Sequence, residues 1–164
     1  LLLARLDEGR DFDVTTVDVS TLAKDAVADA MVAAPEHTWK IKTARGAKIL
    51  ADRNRFYQVL VNLLANARTH TPTGTVVSTS VAVTPESVII TVADNGPGIP
   101  DEIRGSLFER FARADTSRAR ATGSTGLGLA IVEGLVRAHK GTIVVESEPG
   151  NTRFIVTIPR LTGG

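Results

Sequence analysis

Two asparagines four residues apart, Asn62 and Asn66, are the first side chains whose type and spacing suit chemistry. The apolar residues of the stretch 52–70 fall on one face of a helix at about 100° per residue. Both asparagines lie at the edge of that face, with His70 one turn later. Amide oxygens are suitable ligands for a hard metal ion. The pattern indicates a ligand or metal site, although asparagines that only hydrogen-bond a neighbouring loop would show the same spacing.

A second candidate is a glycine-rich turn that follows a β-rich stretch and begins at Asp94. Residues 94–98 read Asp-Asn-Gly-Pro-Gly. Gly96 and Gly98 allow positive φ angles and a close approach of the backbone to a flat ligand. A buried aspartate at such a turn can accept a hydrogen bond from an exocyclic amine. An ordinary Asp-Asn-Gly turn is the alternative interpretation.

A third candidate is the glycine-rich segment 123–128, which leads directly into an apolar helix. Backbone N–H groups at a helix start bind anions, and the helix dipole adds to this attraction. The segment is not a Walker loop, because no Lys-Ser or Lys-Thr pair follows its glycines. It is not a dinucleotide fingerprint either, because no βαβ unit surrounds it.

These candidates must be positioned by a mixed set of helices and strands. Apolar periodicity, caps and turn residues predict helices over residues 1–9, 20–34, 52–70 and 126–139, with Ser20 and Asp52 opening the second and third. Strands are predicted over residues 13–19, 39–43, 48–51, 75–83, 87–92, 141–147 and 152–159. Residues 101–111 read as a short helix or turns, and the arginine-rich stretch 112–125 reads as a mobile loop. One helical layer on one sheet is the simplest architecture.

The composition excludes several classes of protein. A length of 164 residues, of which 43% are hydrophobic and 23% charged, suits one globular domain. The formal net charge of +1 argues against a basic nucleic-acid binder, and the absence of cysteine excludes disulfides and thiolate sites. No apolar run approaches the ~18 residues that a membrane span needs. The apolar start at Leu1, without an initiator Met, suggests a piece of a longer protein.

The order of the three candidates resembles the GHKL ATPase superfamily: Asn-x-x-x-Asn on a helix, then Asp-x-Gly-x-Gly, then Gly-Leu-Gly-Leu at a helix start. Between the last two lies Leu-Phe-Glu-Arg-Phe at residues 107–111, followed by Arg-Ala-Asp at 113–115. This phenylalanine box narrows the resemblance to bacterial sensor histidine kinases. The resemblance covers residues 14–160.

The resemblance implies a two-layer α/β sandwich of the Bergerat type, with a mixed, largely antiparallel sheet packed under three helices. It implies an ATP-binding catalytic domain over residues 13–160. Residues 1–12 would be the end of a dimerisation helix and its linker, and residues 161–164 a tail. Residues 112–125 would form a lid that nucleotide orders, and the alternative is an exposed loop that does not respond to the ligand.

The resemblance also implies roles for single residues. Asn66 would bind the Mg²⁺ that bridges the phosphates of ATP, and Asn62 would lie beside it. Asp94 would accept a hydrogen bond from the adenine N6 amine. Arg113 and Arg118 would contact phosphate, unless they are only solvated loop arginines. Arg113 would also complete a catalytic set with the two asparagines. The implied nucleotide contacts are Asn62, Asn66, His70, Asp94, Gly96, Gly98, Ile99, Phe108, Arg113, Arg118, Thr125, Gly126, Leu127, Gly128 and Leu129.

Two positions depart from the family pattern. Family members often carry Lys or Arg where this chain has Thr69, so a phosphate contact is missing unless Arg68 replaces it. The next position, often an aromatic residue near adenine, is His70, whose imidazole can stack with less area.

Superfamily members that hydrolyse ATP carry Glu at the position of Asn62, and a neutral amide cannot take a proton from water. The sequence therefore favours phosphoryl transfer to a histidine on a dimerisation domain, for relay to a response regulator. The full-length protein would be a homodimer in the bacterial membrane, with this domain in the cytoplasm. The alternatives are a hydrolytic GHKL ATPase, a serine kinase of the anti-sigma type, and a nucleotide-binding module whose catalysis is lost.

The three histidines of the chain lack the context of a phosphoacceptor. His37 follows Pro-Glu at a strand start, and His139 precedes Lys-Gly at a helix end, where a cation suits the dipole. Both are interpreted as surface residues. We therefore expect a chain that binds ATP but lacks the histidine to be phosphorylated.

Overall fold

The structure, a computed structural model, describes residues 12–99 and 126–161, with the backbone alone for residues 126–128. The predicted helix over residues 1–9, the segment 101–111 and the lid over residues 112–125 lie outside the described residues.

The described residues form three helices and seven strands. The helices are α1 (Val19–Ala33), α2 (Arg53–Thr69) and α3 (Gly126–Ala138). The strands are β1 (Val14–Asp18), β2 (Thr38–Lys42), β3 (Lys48–Asp52), β4 (Val76–Val83), β5 (Ser87–Asp94), β6 (Thr142–Glu148) and β7 (Asn151–Pro159). Each of these elements was predicted from the sequence, with ends that agree to within about two residues.

Five strands build one mixed sheet in the order β2-β4-β5-β7-β6. The β2–β4 pair is parallel, and the other three pairs are antiparallel. The predicted fold class, a two-layer sandwich with a mixed, largely antiparallel sheet under three helices, is confirmed.

A second, two-stranded sheet was not predicted. β1 pairs antiparallel with β3, from Val14 opposite Asp52 to Asp18 opposite Lys48. The strands β2 and β3, which are neighbours in sequence, therefore belong to different sheets. Strand periodicity reports which face of a strand is buried but not which strand it pairs with, so the sequence could not show this division.

One face of the large sheet is buried against the helices. Along β4, β5 and β7 every second side chain is buried, as a sheet with one covered face requires. Helix α2 buries the stripe that its apolar periodicity predicts, which comprises Phe56, Val59, Leu60, Leu63, Leu64 and Ala67. Helix α2 also packs against α1, α3 and β5, which makes it the central helix of the layer.

Both helices that follow a strand begin at an aspartate. Asp52 caps α2 as predicted, because its Oδ1 accepts a hydrogen bond from the Arg55 amide at 3.1 Å. The predicted cap of α1, Ser20, is wrong: Asp18 accepts from the Thr21 amide at 3.2 Å instead. Ser20 lies inside the helix, and its hydroxyl donates to the carbonyl of Ala44 at 2.6 Å.

The interpretation of His139 as a surface residue is also wrong, because only 7% of it is exposed. Its Nε2 accepts a hydrogen bond from the Asp52 amide at 3.2 Å, so Nδ1 carries the hydrogen and donates to the Leu135 carbonyl at 2.7 Å. The ring packs against Phe12 and Phe56. Burial lowers the pKa of His139. His139 therefore meets the end of α3 as a neutral donor rather than as a cation.

No helix in the described part of the chain is long and apolar enough to span a membrane.

Candidate functional site

The two asparagines lie on the side of α2 as their spacing predicts, but they differ in burial. Asn66 is buried, with 6% of its surface exposed, and Asn62 is half-buried. The side-chain oxygen of Asn62 accepts a long hydrogen bond of 3.4 Å from Gln58, one turn earlier. Helix α2 contains no aspartate or glutamate between residues 53 and 69, so every polar group around Asn62 on this helix is neutral or basic.

Helix α2 ends at Thr69 and His70, the two positions that depart from the family pattern. His70 is the C-cap residue, and its amide donates to the carbonyl of Asn66 at 3.1 Å. The imidazole is exposed, yet the surrounding protein desolvates it enough to lower the pKa of His70, while the nearby charge of Asp94 acts in the opposite direction. His70 and Asp94 are therefore close enough to influence each other's pKa, and the predicted contact of His70 with the nucleotide stays a prediction.

Asp94 is the last residue of β5, opposite Val77 of β4 and Thr152 of β7. Its Oδ1 accepts a hydrogen bond from the Gly96 amide at 2.9 Å, which closes the turn and orients the carboxyl group. Burial raises the pKa of Asp94, whereas the Gly96 hydrogen bond and the proximity of His37 and His70 lower it. A partly desolvated and oriented carboxyl group is a strong hydrogen-bond acceptor for an amine.

The two glycines of the turn are needed for different reasons. Gly98 has a φ of +94°, and a Cβ there would also lie 3.0 Å from the carbonyl oxygen of Glu148. Gly96 does not have positive φ, contrary to the reason suggested by its sequence context. A Cβ on Gly96 would lie 2.8 Å from Cγ2 of Thr71, so close packing against that side chain explains this glycine.

The hairpin of β6 and β7 fixes the far side of the turn. The Gly150 amide donates to the Gly96 carbonyl at 2.8 Å. The amide of Ile99 donates to the hydroxyl of Ser147 at 2.8 Å, and that hydroxyl also lies 2.8 Å from Oγ1 of Thr152. Ile99 therefore has a defined backbone position, and its predicted nucleotide contact stays a prediction.

The third motif begins a helix, as predicted: α3 starts at Gly126. The first turn of a helix leaves backbone N–H groups without intrahelical partners, and such groups can bind an anion. Leu129 is buried in the core, with 3% of its surface exposed. The side chain of Leu127 and four predicted contacts, Phe108, Arg113, Arg118 and Thr125, lie outside what the structure describes.

The elements that carry the three motifs pack around α2. Helix α2 carries the two asparagines and packs against α3, which starts at Gly126. It also contacts β5, whose last residue is Asp94. Among the described residues, no group of three or more His, Cys, Asp or Glu could hold a metal ion. A divalent cation at Asn66 would therefore need further ligands from phosphates and water, which fits the way proteins hold Mg²⁺ with a nucleotide.

His37, which the sequence analysis placed incorrectly on the surface, is buried near Asp94. It precedes β2, only 7% of it is exposed, and its Nε2 lies 2.9 Å from Oγ1 of Thr71. Its proximity to Asp94 is one of the influences that lower the pKa of that carboxyl group. Strand periodicity starts after His37, so the sequence carried no signal of this burial.

This fold and this arrangement of motifs define an ATP-binding catalytic domain of the Bergerat type. The chain belongs to the family of histidine kinase-, DNA gyrase B- and HSP90-like ATPases, which matches residues 51–162. Within the family it corresponds to the ATP-binding catalytic domain of sensor histidine kinases.

Three similar proteins support this assignment. The probable sensor histidine kinase TcrY of Mycobacterium tuberculosis is 54% identical over 97% of this chain and 34% of its own length. The ATP-binding domain of PrrB from Mycobacterium tuberculosis is 27% identical, with a TM-score of 0.75 over 92% of this chain and 99% of that structure. Full-length ShkA in complex with AMPPNP is 28% identical, with a TM-score of 0.80 over 99% of this chain and 34% of that protein. The chain thus spans about a third of the curated relative TcrY.

Proposed function

We propose that this domain binds ATP with Mg²⁺ and donates the γ-phosphoryl group to a histidine on a dimerisation domain of the same protein. The observation that carries the proposal is the position of Asp94. This oriented, partly desolvated carboxyl group lies at the end of the strand that contacts the asparagine helix. ShkA, which shares this fold, was crystallised with the ATP analogue AMPPNP.

Each part of the nucleotide has a matching group. Asp94 would accept the adenine N6 hydrogen bond, while Gly96 and Gly98 keep the backbone close to the base. Asn66 would bind Mg²⁺ together with the phosphates, and bound Mg²⁺ would neutralise charge that develops on the departing ADP. The backbone N–H groups at the start of α3 would face the phosphates.

The absence of a carboxylate from α2 favours transfer over hydrolysis. An attacking water needs a base to take its proton, and the amides of Asn62 and Gln58 cannot serve as one. In transfer, the bond from the γ-phosphorus to the β,γ-bridging oxygen breaks as a bond to an imidazole nitrogen forms, and ADP keeps the electron pair. This domain then contributes position and electrostatics rather than a proton acceptor.

The partners follow from the same proposal. The relatives are sensor histidine kinases, so we infer a homodimeric, membrane-anchored protein whose phosphorylated histidine supplies a response regulator. This domain would lie on the cytoplasmic side, where ATP is available.

The deciding experiment mixes this chain with a separately produced dimerisation helix pair from the same protein and radiolabelled ATP. Acid-labile, alkali-stable label on the helix pair, with little free phosphate from the chain alone, supports the kinase. Steady phosphate release by the chain alone would identify a hydrolase. ATP binding without either product would identify a binding module.

A further inference from the structure

We propose that His37 is a positioning residue for adenine recognition, acting through Thr71 on the turn that carries Asp94. The proposal rests on the ATP-binding function proposed above. It assigns a role to a histidine outside the nucleotide motifs, in the connection between α1 and β2. Three steps lead from its imidazole to the carboxyl group of Asp94.

The first step is the hydrogen bond between His37 and Thr71. The Thr71 hydroxyl donates its only hydrogen to the carbonyl of Ala67, in the last turn of α2, at 2.6 Å. Toward His37 the hydroxyl can therefore only accept, so Nε2 carries the hydrogen and donates at 2.9 Å. The bond fixes both the tautomer of His37 and the rotation of Thr71.

The second step is the packing of Thr71 against Gly96. With its hydroxyl held from two sides, Thr71 presents Cγ2 to Gly96, where an added Cβ would lie 2.8 Å from that methyl carbon. The side chain thus fills the place that a side chain at Gly96 would take. A rotation of Thr71 would leave a gap beneath the turn.

The third step joins Gly96 to Asp94. The Gly96 amide donates to Oδ1 of Asp94 at 2.9 Å, so the position of Gly96 sets the orientation of the carboxyl group. Asn95, between Asp94 and Gly96 in the chain, also holds the turn, because its Oδ1 accepts a hydrogen bond from the Val76 amide at 2.9 Å. The segment 71–76 therefore contacts His37 through Thr71, and it contacts the turn that carries Asp94 through Thr71 and Val76.

The His37 ring that makes the bond to Thr71 also carries a buried nitrogen without a partner in the described part of the chain. Its Nδ1 is buried and has no hydrogen-bond partner among the residues that the structure describes. Burying an unpaired acceptor is unfavourable. A larger apolar side chain would avoid that cost, but it could not hold the hydroxyl of Thr71.

Paired substitutions test the proposal by calorimetry with ATP and ADP. His37→Gln keeps an N–H donor near the position of Nε2, whereas His37→Asn places its donor near Nδ1 and cannot reach Thr71. We expect His37→Asn to raise the Kd of both nucleotides by the same factor, about 3- to 10-fold, as expected for one lost hydrogen bond. His37→Gln should recover most of the affinity.

A second pair separates this role from general destabilisation of the loop. Thr71 and Thr75 each donate a hydroxyl to a backbone carbonyl, Thr75 to Pro72 at 2.7 Å, but only Thr71 contacts His37 and Gly96. Thr71→Val should therefore weaken the binding of ATP and ADP more than Thr75→Val does, whatever the melting temperatures of the two variants. In transfer to the dimerisation helices, His37→Asn should raise KM for ATP and leave kcat unchanged.

Several results would overturn the inference. One is a His37→Asn variant that binds ATP as tightly as the parent once the folded fraction is taken into account. Another is an equal loss of nucleotide affinity in His37→Asn and His37→Gln, or in the two valine variants. A third is a fall in kcat with KM unchanged in His37→Asn. If the parent chain itself does not bind ATP, the proposed function fails and the inference fails with it. If the parent binds and the variants match it, only the inference fails.

Discussion

At the scale of single residues, the proposed function assigns recognition of the base and handling of the phosphates to different side chains. Asp94 lies at the end of β5 with a raised pKa caused by burial, whereas Asn66 lies on α2 with its side chain buried. Because these residues belong to different elements, substitutions at the two positions should affect different steps.

For Asp94→Asn we expect ATP affinity to fall by about 1.5–3 kcal/mol, the range for a hydrogen bond to a charged group. The amide keeps the shape of the carboxyl group but loses the charge. The parent should also discriminate against GTP, because the O6 of guanine is an acceptor and would face the carboxylate unpaired. Calorimetric titration of the parent and of Asp94→Asn with ATP and GTP measures both effects. Equal affinity of the parent for the two nucleotides would contradict the role of Asp94.

For Asn66→Ala we expect phosphoryl transfer to fall much more than nucleotide binding. Loss of a Mg²⁺ ligand misplaces the γ-phosphate, while the contacts to adenine remain. Transfer to the dimerisation helices, measured at saturating ATP, should drop at least tenfold, with a Kd for ATP within a few-fold of the parent. A variant that transfers phosphate as well as the parent would show that Asn66 only packs the helix.

At the scale of elements, the turn after β5 depends on the hairpin opposite it. The Gly96 carbonyl and the Ile99 amide are both held by residues of the β6–β7 hairpin. Gly98 lies between these two anchors in the chain, and a Cβ added to it would lie 3.0 Å from the carbonyl oxygen of Glu148. The hairpin therefore fixes the turn that carries the proposed adenine contact, although it contains none of the sequence motifs.

Gly98→Ala should destabilise the domain more than Gly74→Ala does. Both glycines have positive φ, +94° and +91°, so both alanines incur backbone strain of about 1–3 kcal/mol. Only Gly98 adds a clash, because open space surrounds Gly74. The extra cost should be about 1–3 kcal/mol in the free energy of unfolding, measured with denaturant. Equal costs at the two positions would show that the hairpin moves freely away from the turn.

The elements themselves could be predicted because their signals are local. The α2 stripe, the alternation along β4 and β7, and the caps and turns appear within short windows of the sequence. The cap of α1 was misplaced at Ser20 because Asp18 and Ser20 are both good cap residues, and only the tertiary contact with Ala44 distinguishes them.

At the scale of the whole molecule, the sequence failed where burial comes from contacts distant in the chain. His37 is buried by Thr71, and His139 by Phe12 and the amide of Asp52, at separations of 34 residues or more. Periodicity around either histidine gives no indication of such contacts. The separate β1–β3 sheet was missed for the same reason. The nucleotide motifs, by contrast, were recognisable because each is a short segment and their order is specific.

His139 makes the stability of the domain depend on pH. Burial lowers the pKa of His139 below the ordinary value of 6.5, with the Asp52 carboxyl group favouring the protonated ring and Arg55 opposing it. The unfolded chain therefore binds a proton more readily than the folded chain. The contribution of His139 is complete above pH 6.5 and is lost as the pH falls below that value. Protonation of Nε2 would also remove the acceptor of the Asp52 amide.

We therefore expect the free energy of unfolding to decrease from pH 7 to pH 5 in denaturant titrations, and to decrease less in His139→Asn. Asparagine can still donate to the Leu135 carbonyl but does not titrate, and at pH 7 it should cost about 1–3 kcal/mol through the lost acceptor and ring packing.

His70→Asn is the control, because burial also lowers the pKa of His70. His70 is more exposed than His139, so this substitution should change the pH dependence of the unfolding free energy less. Asp52 affects stability in a different pH range. Burial alone would raise the pKa of Asp52, but hydrogen bonds from the Asp13 and Arg55 amides hold it below 3.8. Its contribution is therefore lost only at more acidic pH. If His139→Asn retained the full decrease between pH 7 and pH 5, the pH dependence would have to come from a group other than this buried imidazole.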